Sequence, residues 1–364
     1  MRIVIIGSGI VGASCAYVAC SLGAAVVLVD AALPGQATAA GAGIVCPWWS
    51  EQADDPVWYD FACAAARYYP ELIAGLGPAD VSYRQVGALI LTDPDQQQVV
   101  MNSFVDRRAQ APEIGDVEAL TWAEASRMFP GLGAERAVVF VGGAWRLDGR
   151  RVAAALASAA VAKGAVIMTG RAELVRRDGR AAGVTVGGEL IEADAVVAAT
   201  GAWTSAFLPP GAVTVEPQRG QIAHFSVEPA DTAGWPVVLP AGKGHYLVAF
   251  DDHRVVAGAT RETGSGFDYR VTGGGLSQVL REALAMAPGL AAATYLETRV
   301  GFRPMSPDGR PVLGLVPGTD GLVVATGLGP TGLTMGPYAG AIAARVALGE
   351  QPGVDLAPFS PLRP

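Results

Sequence analysis

The stretch Gly7-Ser8-Gly9-Ile10-Val11-Gly12 limits what this chain can fold into more than any other. It follows a short β-branched run, Ile3-Val4-Ile5-Ile6, and opens a segment of helical pattern that reaches Leu22, where Gly23 is placed to stop it. Ala24 to Val29 reads as a second buried strand, ending at Asp30. Glycines at this spacing, between a strand and a helix, suit a dinucleotide pyrophosphate. Gly7 allows the tight turn, Gly9 presents no Cβ to the approaching phosphates, and Gly12 lets the helix pack close to the strand. The helix N-terminus at Ile10 and Val11 offers free N–H groups and a partial positive charge to an anion. Asp30 lies 18 residues past the last glycine. It is placed to accept a hydrogen bond from a ribose 2′-hydroxyl, which argues against a 2′-phosphate. The pattern alone does not separate NAD from FAD.

No charged residue occurs from Ile3 to Val29, and Arg2 precedes them. That could pass for a signal peptide or a membrane span. The strand-helix-strand rhythm points instead to parallel strands covered on both faces, which read as unbroken apolar runs. The whole chain has 364 residues, enough for about two domains, with 51% hydrophobic and 16% charged residues, so disorder is excluded. The net charge of -8 and the lack of a clean basic run make nucleic acid an unexpected partner. Cys15, Cys20, Cys46 and Cys63 form no Cys-x-x-Cys pair, and with His224, His245 and His253 they make no zinc spacing. A reducing compartment and a cytoplasmic location are expected, without a transmembrane segment but with peripheral contact to the cytoplasmic membrane face left open.

Past Asp30 the loop Gly35 to Ile44 is crowded with small residues, as where backbone runs against something large and flat. Helices are expected over Asp55–Leu76, Asp93–Arg108, Thr121–Met128, Arg151–Lys163, Gly275–Ala287 and Tyr338–Leu348. Strands are expected at Val86–Thr92, Ala165–Met168, Ala181–Val186, Leu190–Ala193, Asp194–Ala199, Gln221–Phe225, Val237–Leu239, His245–Phe250, Val255–Ala259 and Leu322–Thr326. Buried-strand-plus-glycine segments lie near residues 1–50, 190–205 and 320–350, with amphipathic elements between them. The expected fold is α/β with an α+β second domain, the two interleaved: residues 1–50, 149–212 and 299–364 in one, 51–148 and 213–298 in the other.

Several motifs in order resemble the D-amino acid oxidase family of FAD-dependent oxidoreductases, with glycine oxidase and the bacterial D-amino acid dehydrogenases as similar members. They are Val4 to Gly12, Gly35 to Ile44, Val196 to Trp203, Pro217-Gln218-Arg219-Gly220-Gln221, Gly258-Ala259-Thr260, Gly301-Phe302-Arg303-Pro304, Pro307 to Pro311, and Ala325 through Gly332. The resemblance implies a Rossmann-like FAD-binding domain and a substrate domain on a large mixed or antiparallel sheet. It implies that FAD is held by Gly7, Gly9, Ile10, Val11, Gly12, Asp30, Ala31, Gln36, Ala42, Gly43, Ile44, Ala172, Ala199, Thr200, Gly201 and Trp203. The C-terminal turn, Gly327, Gly329, Pro330, Thr331, Gly332 and Leu333, would complete the clamp. N–H groups there would face the flavin edge that becomes negative on reduction.

Within the resemblance Arg303 is the residue expected to hold the substrate carboxylate, since its planar fork pairs both oxygens at once. The bland alternative is a surface salt bridge. Tyr246 is the second candidate, its hydroxyl on the carboxylate, against a half-buried strand tyrosine; strand alternation turns either it or His245 away. Trp48 and Trp49 are placed either to wall the pocket or to pack the core, Thr331 belongs to the pocket floor, and Cys46 is taken as inert. Glycine oxidase carries His, Phe, Arg and Asn in the C-terminal turn, where this chain has Leu328, Gly329, Pro330 and Thr331. A smaller, more apolar floor follows, and glycine itself becomes a doubtful substrate. The sarcosine oxidases link flavin to a Cys near the place of Gly301; no Cys follows Cys63, so the FAD is expected to be non-covalent.

The implied reaction is oxidative deamination of a small or medium amino acid, whether a D-amino acid, glycine-like, or N-substituted or cyclic. A hydride passes from Cα to flavin N5 and the imine hydrolyses to a 2-oxo acid. The expected acceptor is either oxygen or a quinone or other electron carrier. Two alternatives stand beside this reading: an NAD-linked dehydrogenase, and a non-catalytic flavoprotein subunit of a larger dehydrogenase.

Overall fold

The computed structural model describes residues 1–242 and 244–363. Among them the strand Arg2–Ile6 sits in the middle of a six-stranded sheet. Ala25–Asp30 and Val166–Thr169 lie on one side of it in parallel, and Ala195–Ala198 and Leu322–Thr326 on the other. Val312–Leu315 closes that edge antiparallel. Ile3 and Ile5 enter one hydrophobic cluster while Val4 and Ile6 enter another, so both faces are covered and the charge-free sequence is explained. The helix Ile10–Ser21 packs on this sheet between the helices Gly149–Ala162 and Gly332–Ala347. At Gly12 any Cβ would run into the Gly7 carbonyl, so the glycine fixes how near the helix sits.

An eight-stranded mixed sheet forms the other half, running Thr294–Met305, Glu216–Ser226, Arg254–Gly258, Tyr246–Ala249, Val237–Pro240, Ala88–Thr92, Ala137–Val141 and Val117–Leu120. Only the Val237–Pro240 and Ala88–Thr92 pair is parallel. Thr294–Met305 pairs with Glu216–Ser226 along its length, so the division drawn at residue 299 falls inside a strand. The amphipathic helix Gly273–Met286 buries Val279, Ala283 and Met286 in this half. Two small sheets complete the fold: Ala172–Arg177, Arg180–Val186 and Glu189–Glu192, and Ile44–Val45, Trp145–Arg146 and Arg84–Gln85. The loop after Gly35 joins the halves, with Phe302 N–H donating to the Gly35 carbonyl at 2.9 Å.

The last helix begins at Gly332, six residues before the expected start at Tyr338, and runs through Pro337. Proline has no N–H for the carbonyl four residues back. That carbonyl, of Leu333, instead accepts from the hydroxyl of buried Tyr69. The Pro337 carbonyl takes the Ser14 hydroxyl at 2.7 Å. No described helix is long and apolar enough to cross a membrane.

Candidate active site

A cleft of about 1110 Å³ runs between the two large sheets. Ligand pockets usually span roughly 300–1,000 Å³, so this one suits an extended guest. At one end it is walled by Gly7, Gly9, Ile10 and Val11, by Asp30 and Ala31, and by Ala199, Thr200, Gly201 and Trp203. Along its length come Gln36, Ala42, Gly43 and Ile44, then Gly329, Pro330, Thr331, Gly332 and Leu333. Two helices open onto it, at Ile10 and at Gly332, and neither has a side-chain cap. Their uncapped first turns offer N–H donors and positive dipole ends to an anionic guest. Ile10 N–H is itself spent on Thr38 Oγ1, which accepts from it at 2.9 Å, so the first helix offers the N–H groups that follow.

Asp30 is more committed than the spacing suggests. Its two oxygens accept from Ser8 N–H at 2.6 Å, Ser8 Oγ at 2.8 Å, Ala32 N–H at 2.6 Å and Gln36 Nε2 at 2.9 Å. That fills about the four sites a carboxylate offers. Asp30 therefore ties the glycine turn to the loop after the second strand, and Gln36 reaches the cleft through it.

The other end is built from side chains. Arg303 projects from the edge strand Thr294–Met305 and lines the cleft. Its Nη1 donates to the Thr260 carbonyl at 2.9 Å and to Gln218 Oε1 at 3.2 Å. No carboxylate of the described residues pairs with it. Across the sheet Gly220 makes room, since a Cβ there would lie 2.7 Å from the guanidinium. Burial pulls the Arg303 pKa below the usual arginine range, yet an arginine stays charged. Tyr246 shares the wall, and burial, only partly offset by Arg303 and Arg261, pushes its hydroxyl up to about 12. It is thus a neutral donor.

Beneath Arg303 lies a charge network. Glu262 accepts from Arg219 Nη2 at 2.6 Å, Gln221 Nε2 at 2.6 Å and Thr260 Oγ1 at 2.7 Å. Burial opposes its charge, but bonds from Gln221, Arg219 and Thr260 hold its pKa below the usual carboxylate range. The network fixes the Thr260 carbonyl that Arg303 leans on.

Four expected site residues lie off the cleft wall. Trp48 sits 1% exposed in the core, and it is Trp49 on the same 3-10 turn that reaches the wall, stacked on Phe104 at 5.2 Å. Ala172 begins a strand of a small sheet and packs with Val184 and Val186. Gly327 packs beside Val312 at the end of its strand, at φ +73°. Gly12 stays under the helix, as its packing role requires. Strand alternation does not separate His245 from Tyr246: His245 precedes the strand Tyr246–Ala249, and both line the cleft. Sequence reasoning missed Arg261, a second cation on the wall, held by Glu51 at 2.6 Å. It stands three residues after Gly258, next to a motif already noticed. Among the described residues no His/Cys/Asp/Glu cluster could hold a metal.

The sequence model of the FAD dependent oxidoreductase family matches residues 2–346. The "uncharacterized oxidoreductase YurR" of Bacillus subtilis (strain 168) is 45% identical over 98% of both chains. A glycine oxidase of Pseudomonas aeruginosa is 30% identical, over 99% of this chain and 98% of its own. Among solved structures, iminodiacetate oxidase from Chelativorans sp. BNC1 superposes with a TM-score of 0.95 at 46% identity over 99% of each chain. Glycine oxidase from Geobacillus kaustophilus gives 0.86 at 26% identity, over 100% of this chain and 99% of its own. These likenesses overturn the NAD-linked alternative. With the doubly wound sheet, the glycine turn and the long cleft they agree that the chain belongs to the D-amino acid oxidase family of FAD-dependent oxidoreductases.

Proposed function

We propose that this protein oxidises the C–N bond of a small amino acid or N-substituted glycine, with non-covalent FAD as electron acceptor, and that its preferred substrate carries a second carboxylate. The observation that carries the reading is Arg303, a cation set into the cleft wall without a carboxylate of the described residues beside it. Such a charge is costly to bury unless a ligand pairs it. Tyr246 adds a neutral O–H to the same carboxylate. Arg261 gives a second cation on the wall, and a dicarboxylate amine such as iminodiacetate would use both. The 46% identity to an iminodiacetate oxidase supports this choice over glycine.

In this reading the first turn at Gly9, Ile10 and Val11 takes the pyrophosphate, and Asp30 with Ala31 and Gln36 flanks the ribose. Ala42, Gly43, Ile44, Ala199, Thr200, Gly201 and Trp203 would bracket the isoalloxazine, and the N–H groups of Gly329, Gly332 and Leu333 would meet its electron-rich edge. Bound flavin supplies a two-electron acceptor. The chain's own residues supply position and dryness: Arg303 and Tyr246 fix the carboxylate end, and Phe302 and Trp203 exclude water. An amine that enters neutral needs no protein base. The imine product hydrolyses to a 2-oxo acid.

The test is anaerobic addition of glycine, sarcosine, D-alanine, proline and iminodiacetate to holoenzyme while the flavin band is followed. Iminodiacetate should bleach it fastest, and the amide of any substrate should be poor. Equal rates for acid and amide would remove Arg303 from its role. A flavin that no amine reduces would favour the non-catalytic subunit.

A further inference from the structure

A second, much smaller void lies behind the loop after Gly35, on the other side of that loop from the main cleft. It measures about 10 Å³, about the smallest space that takes one water-sized guest. Its wall combines both halves of the molecule: Asp148 and Arg150 at the start of the helix Gly149–Ala162, His224 and Arg254 from the middle of the large sheet, and Arg299 from its edge strand. His224 is 1% exposed, and neither ring nitrogen has a hydrogen-bond partner. An orphaned buried imidazole is costly.

The surrounding charge is lopsided. Three guanidiniums face the void against one carboxylate. Asp148 is already spent on Arg254 Nη2 at 2.9 Å and on the N–H groups of Arg150 and Arg151 at 3.0 and 3.2 Å. Arg299 leans on Glu297 at 2.6 Å and Arg254 on Asp252 at 3.4 Å, both more exposed. Burial, then the neighbouring Arg150 and Arg254, depress the Arg299 pKa despite the Glu297 bond. Burial and the same three arginines, only partly offset by Asp148, push His224 down to about 3, so it is neutral and offers one N–H. The start of the helix Gly149–Ala162 adds its positive dipole end.

We propose that this void is a binding site for one small monovalent anion of the halide class, held by Arg299, Arg254, Arg150 and the N–H of His224. Its dimensions exclude sulfate or phosphate. A water could fill the space, but the carboxylates that answer Arg299 and Arg254 from outside, Glu297 and Asp252, are half exposed, so an anion in the void would meet the guanidiniums from their buried side. The site adjoins the main cleft: Thr38, Gly41 and Ala42 line both cavities, and Arg150 Nε holds the Ala39 carbonyl at 2.8 Å. A bound anion would therefore brace the loop from behind, whatever substrate the enzyme takes.

The test is a crystal of the holoenzyme grown or soaked in sodium bromide, with data collected at the bromine edge. An anomalous peak inside the void, within contact of Arg299 and His224, is expected. In parallel, the thermal midpoint of holoenzyme should rise in chloride or bromide over gluconate at equal ionic strength, by about 2 °C once halide exceeds its Kd tenfold. Arg299→Gln and His224→Leu should each abolish that rise while the FAD absorbance stays. No bromide peak together with equal midpoints in all three anions means water only and overturns the proposal. So does a halide-specific rise that survives in both variants.

Discussion

The two ends of the main cleft are made from different material. The end around Gly7–Gly12 is backbone: uncapped helix turns, small residues, and one carboxylate, Asp30, already engaged by four protein donors. The end around Arg303 is side chain: one half-buried cation, one neutral phenol, a second cation at Arg261, and a charge network below. The first arrangement accepts an anion with little charge of its own, so it tolerates small changes of ligand position. The second is a directed pair, and a misplaced fork loses its bonds at once. The difference predicts that single substitutions at the side-chain end are severe for turnover and silent for FAD, and the reverse at the backbone end.

The largest effect should come from Arg303→Ala. It leaves a substrate carboxylate buried without its partner, which costs about 3–5 kcal/mol, more than a hundredfold in flavin reduction per unit substrate. FAD content should stay near that of the wild type. Arg303→Lys keeps the charge but not the two parallel donors and should lose about 1.5–3 kcal/mol. Stopped-flow reduction of both variants checks this. FAD lost from Arg303→Ala would break the comparison, since the two ends would then not be separable.

Asp30→Ala tests the other end. It removes the acceptor of four bonds that tie Ser8, Ala32 and Gln36 together. We expect about 1.5–3 kcal/mol of weaker FAD binding, read by ultrafiltration of holoenzyme. Saturating FAD should then restore most turnover. A variant that stays inactive with its full complement of FAD would mean that the turn also shapes the reacting end.

The same contrast explains what could be read from the chain. The backbone end is contiguous: one strand, one turn, one helix and an acid within 30 residues, each with a local signature. The side-chain end gathers Gln218, Tyr246, Thr260, Arg261 and Arg303 from four stretches, and only their pairing in one sheet brings them together. Arg303 and Tyr246 came from family motifs; Arg261 carried no local pattern of its own. Other misses are also physical. The strand Ala172–Arg177 is missing from the expected strands because its exposed charges mask the alternation, although Asp178-Gly179 at φ +50° and +78° is a hairpin turn. The early start of the last helix was hidden by Pro337, whose missing N–H is compensated by Tyr69, bonded to the Leu333 carbonyl from 264 residues away in sequence.

Arg261→Gln should sharpen the side-chain end further. Arg261 is 41% exposed and paired with Glu51, so solvent screens much of its charge. The expected loss is about 1 kcal/mol, roughly fivefold, and it should fall on KM for a substrate with a second carboxylate while leaving a monocarboxylate unchanged. Steady-state kinetics on iminodiacetate and sarcosine measure the split. An equal loss on both would place Arg261 in general steering of anions into the cleft.

The effect expected of Tyr246→Phe is as small as that of Arg261→Gln, and its value lies in the pH axis. The hydroxyl is pushed up to about 12, chiefly by burial, with Arg303 and Arg261 pulling the other way. An ordinary tyrosine is half ionised near pH 10. A raised pKa means that the neutral O–H, the form that can donate to a carboxylate, persists until pH approaches 12. A phenolate at that position would instead repel the carboxylate it is meant to hold. Wild-type substrate affinity should therefore show no tyrosine-linked decline between pH 7 and 10. Tyr246→Phe should lose about 0.5–1.5 kcal/mol, the net worth of one hydrogen bond, at every pH in that range. The ratio of the two enzymes' affinities is then a flat line, obtained from flavin reduction at subsaturating substrate. A ratio that converges on one as pH passes 9 to 10 would show a tyrosine ionising at its ordinary pKa, and so exposed to water. The dry, side-chain-built end described here would then have to be wet.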